Sequence, residues 1–278
     1  MTERCISAVT VVVPVKNEEQ NLPACLAALK PFHYVLVVDS NSSDRTPIIV
    51  EEAGARLINF SWDGKFPKKR NWVLQHHKFQ TDWVLFIDAD EVVTQAFCDE
   101  LKRAISTTSH SGFWLNYTNY FMGRRLHYGV PQRKLSLFKI GSGVYERIDE
   151  DCWSNLDMEI HEHPLIEGTV GELDSPIDHR DFRGLARFLE RHIDYARWEA
   201  LRYIQIRPYL HERSLDYTSR QLFKYRNINS RWFASFYFIY TYIVRLGILD
   251  GLPGYKYACY KKWYFQTVRN LIREQMTA

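Results

Sequence analysis

Residues 82–93 read DWVLFIDADEVV: an apolar run of strand length that ends on Asp88, Asp90 and Glu91, three acids within four residues. Like charges this close repel, and a carboxylate taken out of water is costly unless it gains a partner. The stretch therefore calls for positive charge nearby, and a divalent cation is its simplest source.

Upstream of this run, strand and helix signals alternate. TVVVPV (10–15) is a continuous β-branched run that reads as a buried parallel strand, and KNEEQNLPACLAALK then opens a helix around Leu22 to Lys30. YVLVVDS (34–40) is a second such strand ending in Asp39. NSSDRTPIIVEEAGA supplies a turn, a Thr46-Pro47 helix start and Gly54 as the stop, with Asp44 read as a cap. ARLINF predicts a third strand, Lys68 to His77 a helix, and DWVLFID the fourth strand. A βαβαβαβ order with right-handed crossovers defines an α/β fold around a parallel sheet. Ligands of such sheets gather beyond the carboxyl ends of the strands, where Asp39, Asp88 and Asp90 all fall.

Downstream the pattern changes. GFWLNYTNYFMGRRLHYG and RKLSLFKIGSGVYE alternate as antiparallel strands and loops do, and from Asp181 onward FRGLARFLERHIDYARWEALRYI has helical spacing. The expected division is 1–111, 112–180 as an appended substrate-binding half, and 181–278 as an aromatic, basic, helical extension. No GxGxxG or GxxxxGK[ST] follows the first strand, so metal and basic side chains must hold any phosphate. Lys65, Lys68, Lys69 and Arg70 lie just before the acidic strand.

Composition bounds the function classes. The chain has 278 residues, 46% hydrophobic and 25% charged, enough for a full core. A net charge of +3 is too slight to argue for a nucleic-acid partner. The five cysteines are scattered without a CxxC pair, which fits reduced thiols in a cytoplasmic setting. MTERCISAVTVVVPVK is too short and interrupted an apolar stretch for a signal peptide or spanning helix. WFASFYFIYTYIVRLGIL (232–249), broken by Arg245 and Gly247, is a poor span, and it reads either as a buried helix or as a membrane-surface helix. Arg220, Lys224, Arg226 and Arg231 precede it and Lys256, Lys261, Lys262, Arg269 and Arg273 follow, which favours peripheral attachment to an anionic membrane on the cytoplasmic face.

Taken together, VVVPVKNEE, VVDSNSSDRT, KKRNW and DWVLFIDADE resemble glycosyltransferase family 2, the inverting nucleotide-sugar transferases of GT-A fold. The likeness is tight over the first hundred residues. It continues loosely through GRRLHYG, RKLSLFKIG, EIHEHPLIEG and IDH, which are similar to the lipopolysaccharide-core β-glucosyltransferase branch. The resemblance implies a UDP-sugar donor, glucose first among hexoses, a Mn²⁺ or Mg²⁺ ion, inversion at the anomeric carbon, and a lipopolysaccharide, surface-glycan or lipid-linked acceptor. It makes 1–111 the nucleotide-sugar half and 112–180 the acceptor half.

Carried over residue by residue, the resemblance sets Pro14, Lys16, Asn17 and Glu18 at the border of the nucleoside, Asp39 against base and ribose, and Arg70 and Asn71 near the nucleotide. Asp88 and Asp90 form the DxD pair, one reaching the ribose or donor sugar and the other the metal that bridges the diphosphate. His179 in SPIDHRDF matches a late metal ligand, with Asp178 or Asp181 to orient it. An inverting transfer needs one general base. Glu162 of the His-Glu pair is the leading choice, with Glu91 and Glu159 as rivals. Where the branch often carries a Trp-Tyr-Pro-Asp stretch this chain has GVPQRKLSLF, in which Arg133 is a candidate for a phosphate-bearing group.

Other readings remain. LFIDADEVV fits the pattern of haloacid-dehalogenase-like phosphatases with Asp88 as nucleophile, although three strands precede it. His161 and His163 lack the spacing of a zinc-protease site. A non-catalytic glycan-binding protein is the non-enzyme alternative.

Overall fold

The computed structural model describes residues 5–150, 153–154, 156–159, 162–181, 183–210 and 217–277. His161 and Cys152 lie outside the described residues. In chain order the elements are β1 (Ile6–Val15), α1 (Leu22–Ala28), β2 (Phe32–Asp39), α2 (Thr46–Glu52), β3 (Arg56–Asn59), α3 (Lys69–His76), β4 (Trp83–Phe86), β5 (Glu91–Val92), α4 (Gln95–Thr107), β6 (Gly112–Phe121), β7 (Arg124–Leu126), β8 (Gln132–Lys139), β9 (Gly143–Tyr145), β10 (Pro164–Ile166) and β11 (Val170–His179). The helices α5 (Gly184–Ile206), α6 (Ser219–Asn227), α7 (Phe233–Ile239) and α8 (Gly251–Thr277) complete the chain. Two compact units result, Met1–Asn119 with Pro131–Phe182, and Tyr120–Val130 with Arg183–Ala278.

The first unit is built on one sheet of order β3-β2-β1-β4-β8-β6-β11-β5. β3, β2, β1 and β4 are parallel neighbours, as the alternation of strands and helices predicts. Beyond β4 the sheet is mixed: β8 runs antiparallel to β4 and β6, β11 parallel to β6, and the two-residue β5 antiparallel to β11. Strands from 112–180 thus continue the sheet begun by the first hundred residues.

The VVVPV run is apolar throughout because both faces of β1 are covered. Val11, Val13 and Val15 pack with Leu22 and Cys25 of α1, Val50 of α2 and Phe97 of α4. Val12, on the opposite face, packs with Leu36, Val73 of α3, Phe86 and Phe138. Pro14 is buried within β1. The helix stop after α2 is Gly54, at φ +68, a conformation glycine adopts without a Cβ penalty.

The second unit buries Ala196, Ala200 and Tyr203 of α5 against Phe233 of α7 and Phe265, Val268 and Ile272 of α8. α6 opens with a capping box in which Thr218 and Gln221 satisfy each other's backbone amides. The 232–249 run is not one helix: α7 ends at Ile239, a π-helical turn covers Tyr240–Val244, and a 3-10 turn covers Gly247–Asp250.

Candidate active site

By the rule for parallel sheets, the ligand crevice lies at the carboxyl ends of the neighbouring strands β1, β2 and β4. The turn after β1 is tied to the turn after β2: the Asn17 amide donates to Ser42 Oγ (2.8 Å), the Ser43 amide to Asn17 Oδ1 (2.8 Å), and the Glu18 amide to Thr46 Oγ1 (2.8 Å). Asn17 sits at φ +56, a left-handed conformation that asparagine tolerates better than most residues. Lys16 projects into solvent beside it. The Glu18 carboxylate accepts from Asn21 Nδ2 (2.9 Å). Asp39 is 2% exposed and accepts from the amide (3.0 Å) and hydroxyl of Ser42. Asp44 accepts from the amides of Thr46 (2.9 Å) and Glu19 (3.1 Å), holding the start of α2 as a cap should.

The acids of FIDADE find their positive charge inside the chain. Arg70 of α3 meets Asp88 Oδ1 at 2.6 Å, and Lys134 of β8 meets Asp88 Oδ2 at 2.6 Å and also Glu91 Oε1. Burial favours the neutral acid, yet Lys134 and Arg70 hold the Asp88 carboxyl well below the usual carboxylate range. The same carboxylates keep Lys134 protonated against its own desolvation. Glu91 is 1% exposed; its second oxygen accepts from the Asp88 amide (3.1 Å) and Tyr117 hydroxyl (3.4 Å). Burial, more than any neighbour, raises its pKa.

Asp90 is turned another way, with Oδ2 at 3.4 Å from His179 Nε2. β11 pairs with β5 so that His179 lies opposite Glu91, which brings the imidazole to the acid cluster. Burial disfavours the imidazolium, but Asp90 outweighs it and raises the His179 pKa. Among the described residues no three His, Cys, Asp or Glu side chains gather to hold an ion by themselves. The Asp90–His179 pair does offer one oxygen and one nitrogen donor, a set suited to an ion that takes its other ligands from water and substrate phosphate.

The first turn of α3 links this cluster to a second one. Its amides at Arg70 and Asn71 donate to Glu159 Oε2 (2.8 Å) and Oε1 (2.9 Å), so Glu159 occupies the helix N-terminus that phosphate would otherwise find. Lys69, 2% exposed, donates to the Val15 carbonyl (2.8 Å), and burial lowers its pKa. Lys68 pairs with Glu150 and, at 2.8 Å, with Glu162. Glu162 is 6% exposed; desolvation and a hydrogen bond shared with Glu150 push its pKa up to about 7 against the pull of Lys68.

Several expectations change here. Arg133 does not enter the crevice: it pairs with Glu172 (2.7 Å) over the Trp114 ring, while Lys134, the next residue, faces Asp88. Successive residues of β8 point to opposite faces, so the cation that faces the acid cluster is one position further on. Glu91 is a buried ion-pair partner with both oxygens engaged. Glu159 is the cap of α3, and Asn71 exchanges hydrogen bonds with the Tyr145 backbone through both its amide atoms (2.9 Å each), which takes them away from a nucleotide. Asp88 has both oxygens in ion pairs with Arg70 and Lys134, which leaves no free nucleophile for phosphatase chemistry. Asp178 binds Arg180 (2.6 Å) and Asp181 accepts from Asn21 (3.2 Å), while the described partner of the His179 imidazole is Asp90. Two buried donors at the crevice, Arg70 Nε and Ser40 Oγ, have no hydrogen-bond partner among the described residues.

The profile of Glycosyl transferase family 2 matches residues 10–157, and the chain belongs to that family. Its fold is accordingly GT-A, with a C-terminal helical extension. Over 167 residues it is 27% identical to the lipopolysaccharide core biosynthesis glycosyltransferase LpsC of Rhizobium meliloti, covering 56% of each chain. Over 114 residues it is 31% identical to an uncharacterized glycosyltransferase of Rickettsia bellii, covering 41% of this chain and 38% of that protein. A solved structure it resembles is glucosyl-3-phosphoglycerate synthase from Mycobacterium tuberculosis with Mn²⁺, uridine diphosphate and glucosyl-3-phosphoglycerate, at 26% identity, TM-score 0.33, and 44% and 46% coverage of the two chains. The chain spans about a quarter to just over half the length of the curated relatives it matches.

Proposed function

We propose that the chain transfers a hexose, glucose first among candidates, from a UDP-sugar to a hydroxyl of a surface-glycan or lipid-linked acceptor, with inversion and with a divalent cation. One observation carries the reading. At the strand ends, a cationic pair, Arg70 and Lys134, adjoins an oxygen–nitrogen donor pair, Asp90 and His179, and Arg70 still has a buried N–H without a partner. A diphosphate needs both kinds of group, and an orphaned buried donor is costly until a ligand meets it.

Asp90 and His179 would hold Mn²⁺ or Mg²⁺, which when bound neutralises charge developing on the departing diphosphate. Arg70 and Lys134 bind the phosphates from the opposite side, while Asp39 and Ser40 face the nucleoside at the end of β2. Glu162 takes the proton of the acceptor hydroxyl. Its pKa near 7 suits a group that accepts a proton at neutral pH, and Lys68, on the same helical turn as Arg70, orients it.

The test is UDP release from a panel of UDP-sugars, with Mn²⁺ and then with excess EDTA, using slow donor hydrolysis so that no acceptor is required. Release from one donor, abolished by EDTA, is expected. Undiminished release in EDTA would overturn the metal assignment, and failure of every UDP-sugar to bind or turn over would overturn the donor class.

A further inference from the structure

No single helix among the described residues is long and apolar enough to cross a membrane. One bent pair, Phe233–Val244 with Gly247–Thr277, reaches that length and hydropathy jointly, with 72° between its arms. The bend is built into the backbone. Leu246 (φ +60) and Gly251 (φ +64) are left-handed, a Cβ at Gly254 would collide with the Gly247 carbonyl oxygen, and one at Gly247 would lie 2.8 Å from the Thr241 carbonyl oxygen. The arms meet where only glycine fits.

This hairpin is apolar on the outside. Ten of the twenty large apolar side chains exposed among the described residues fall between 232 and 255. Trp232, Phe236, Ile239 and Ile243 recur at helical spacing on one side, and Leu249 and Leu252, 60% and 67% exposed, extend the face past the bend. A water-facing surface seldom carries so continuous a patch. Its charges have one sign: Arg231, Arg245 and Lys256 are exposed, whereas the one acid in the stretch, Asp250, accepts from the backbone amides of His127 (2.9 Å) and Tyr128 (3.0 Å).

We propose that this hairpin seats the protein monotopically in one leaflet of an anionic bilayer. The apolar face enters the acyl boundary while Arg231, Arg245 and Lys256 stay at the level of lipid phosphate. A second copy of the chain fits the same face less well, since a two-fold contact would bring these cations against their own copies with no acid to meet them. The inference does not depend on the transferase reading.

Flotation of the full chain with phosphatidylcholine vesicles, alone or mixed with phosphatidylglycerol, tests it. Binding at least roughly tenfold stronger to the anionic vesicles is expected. The double variant Leu249→Asp/Leu252→Asp abolishes binding to both compositions with an unchanged circular dichroism spectrum. Arg245→Gln/Lys256→Gln, which leaves the apolar face intact, removes the preference for anionic lipid. Equal binding to both compositions, or full binding by the leucine variant, overturns the proposal. So does a lipid-free dimer that the leucine variant dissociates, which would make the face a contact between copies.

Discussion

Replacing Lys134 with methionine keeps most of the side-chain volume and deletes the one ammonium shared by Asp88 and Glu91. Asp88 keeps Arg70 at 2.6 Å, but Glu91, 1% exposed, loses its only ion pair among the described residues. Two carboxylates about 4 Å apart repel by about 4 kcal/mol at an effective dielectric constant near 20. Protonating Glu91 is the cheaper escape, since burial already raises its pKa. Keeping a carboxyl of ordinary pKa protonated at pH 7 costs about 1.4 kcal/mol for each of roughly 2.5 units, or about 3.5 kcal/mol; at pH 5 the cost is below about 1 kcal/mol. The sign follows from linkage. A carboxyl whose folded pKa is raised contributes stability below its unfolded pKa and loses it as pH rises. The deficit of Lys134→Met relative to the native chain should therefore widen between pH 5 and 7. Urea denaturation followed by circular dichroism at both pH values, with the m-value unchanged, measures it. A deficit that is the same at pH 5 and 7, or below about 1 kcal/mol at pH 7, would refute the assignment of Lys134 as the counter-ion of Glu91.

Four further substitutions test the remaining roles. Asp90→Asn should weaken Mn²⁺-dependent UDP binding by at least roughly tenfold, read by calorimetry with and without the ion, and normal binding would remove Asp90 from the metal site. Glu162→Gln should leave UDP binding within about twofold while lowering transfer by roughly 10²- to 10⁴-fold. It should also flatten the pH dependence of stability: the raised pKa of Glu162 contributes stability present below the unfolded value of 4.5 and lost as pH rises through about 7. Asn71→Ala breaks two buried hydrogen bonds to Tyr145 and should lower stability by about 1–3 kcal/mol in urea titrations. Arg133→Ala, at an exposed ion pair, should cost less than about 1 kcal/mol and leave donor hydrolysis unchanged, and a large loss of turnover would return Arg133 to the crevice.

The parallel half of the sheet was legible because its strands carry a local signal. β-branched runs covered on both faces need no alternation, and the Thr46-Pro47 and Gly54 signals bounded α2 to within a few residues. The acid cluster was legible for a similar reason, since like charges at a strand end advertise a missing partner. The identity of that partner was not, because Lys134 and Arg133 differ only in parity along β8, and parity is set by the pairing of β8 with β4 and β6. Glu159 and Glu91 looked like spare carboxylates because their partners are backbone amides of α3 and a lysine 43 residues away, contacts with no local trace. The 232–249 run shows its break at Arg245 and Gly247, but the left-handed turn falls between them on Leu246, a residue type that gives no hint of it.

The cap on α3 also orders events in time. Glu159 reaches back 89 residues to close the helix turn that carries Arg70, and Asp157 and Glu162 return to Lys69 and Lys68 of the same turn. Contacts of such long sequence separation form late, because the intervening loop must close before they are rewarded. A nascent chain can assemble β1 to β4 while Lys68 and Lys69 lack their counter-charges and the first amides of α3 lack their cap. On the proposed function, nucleotide capture with its cation also waits for His179 to leave the ribosome, so shorter nascent chains of this protein should fold their first strands without capturing nucleotide.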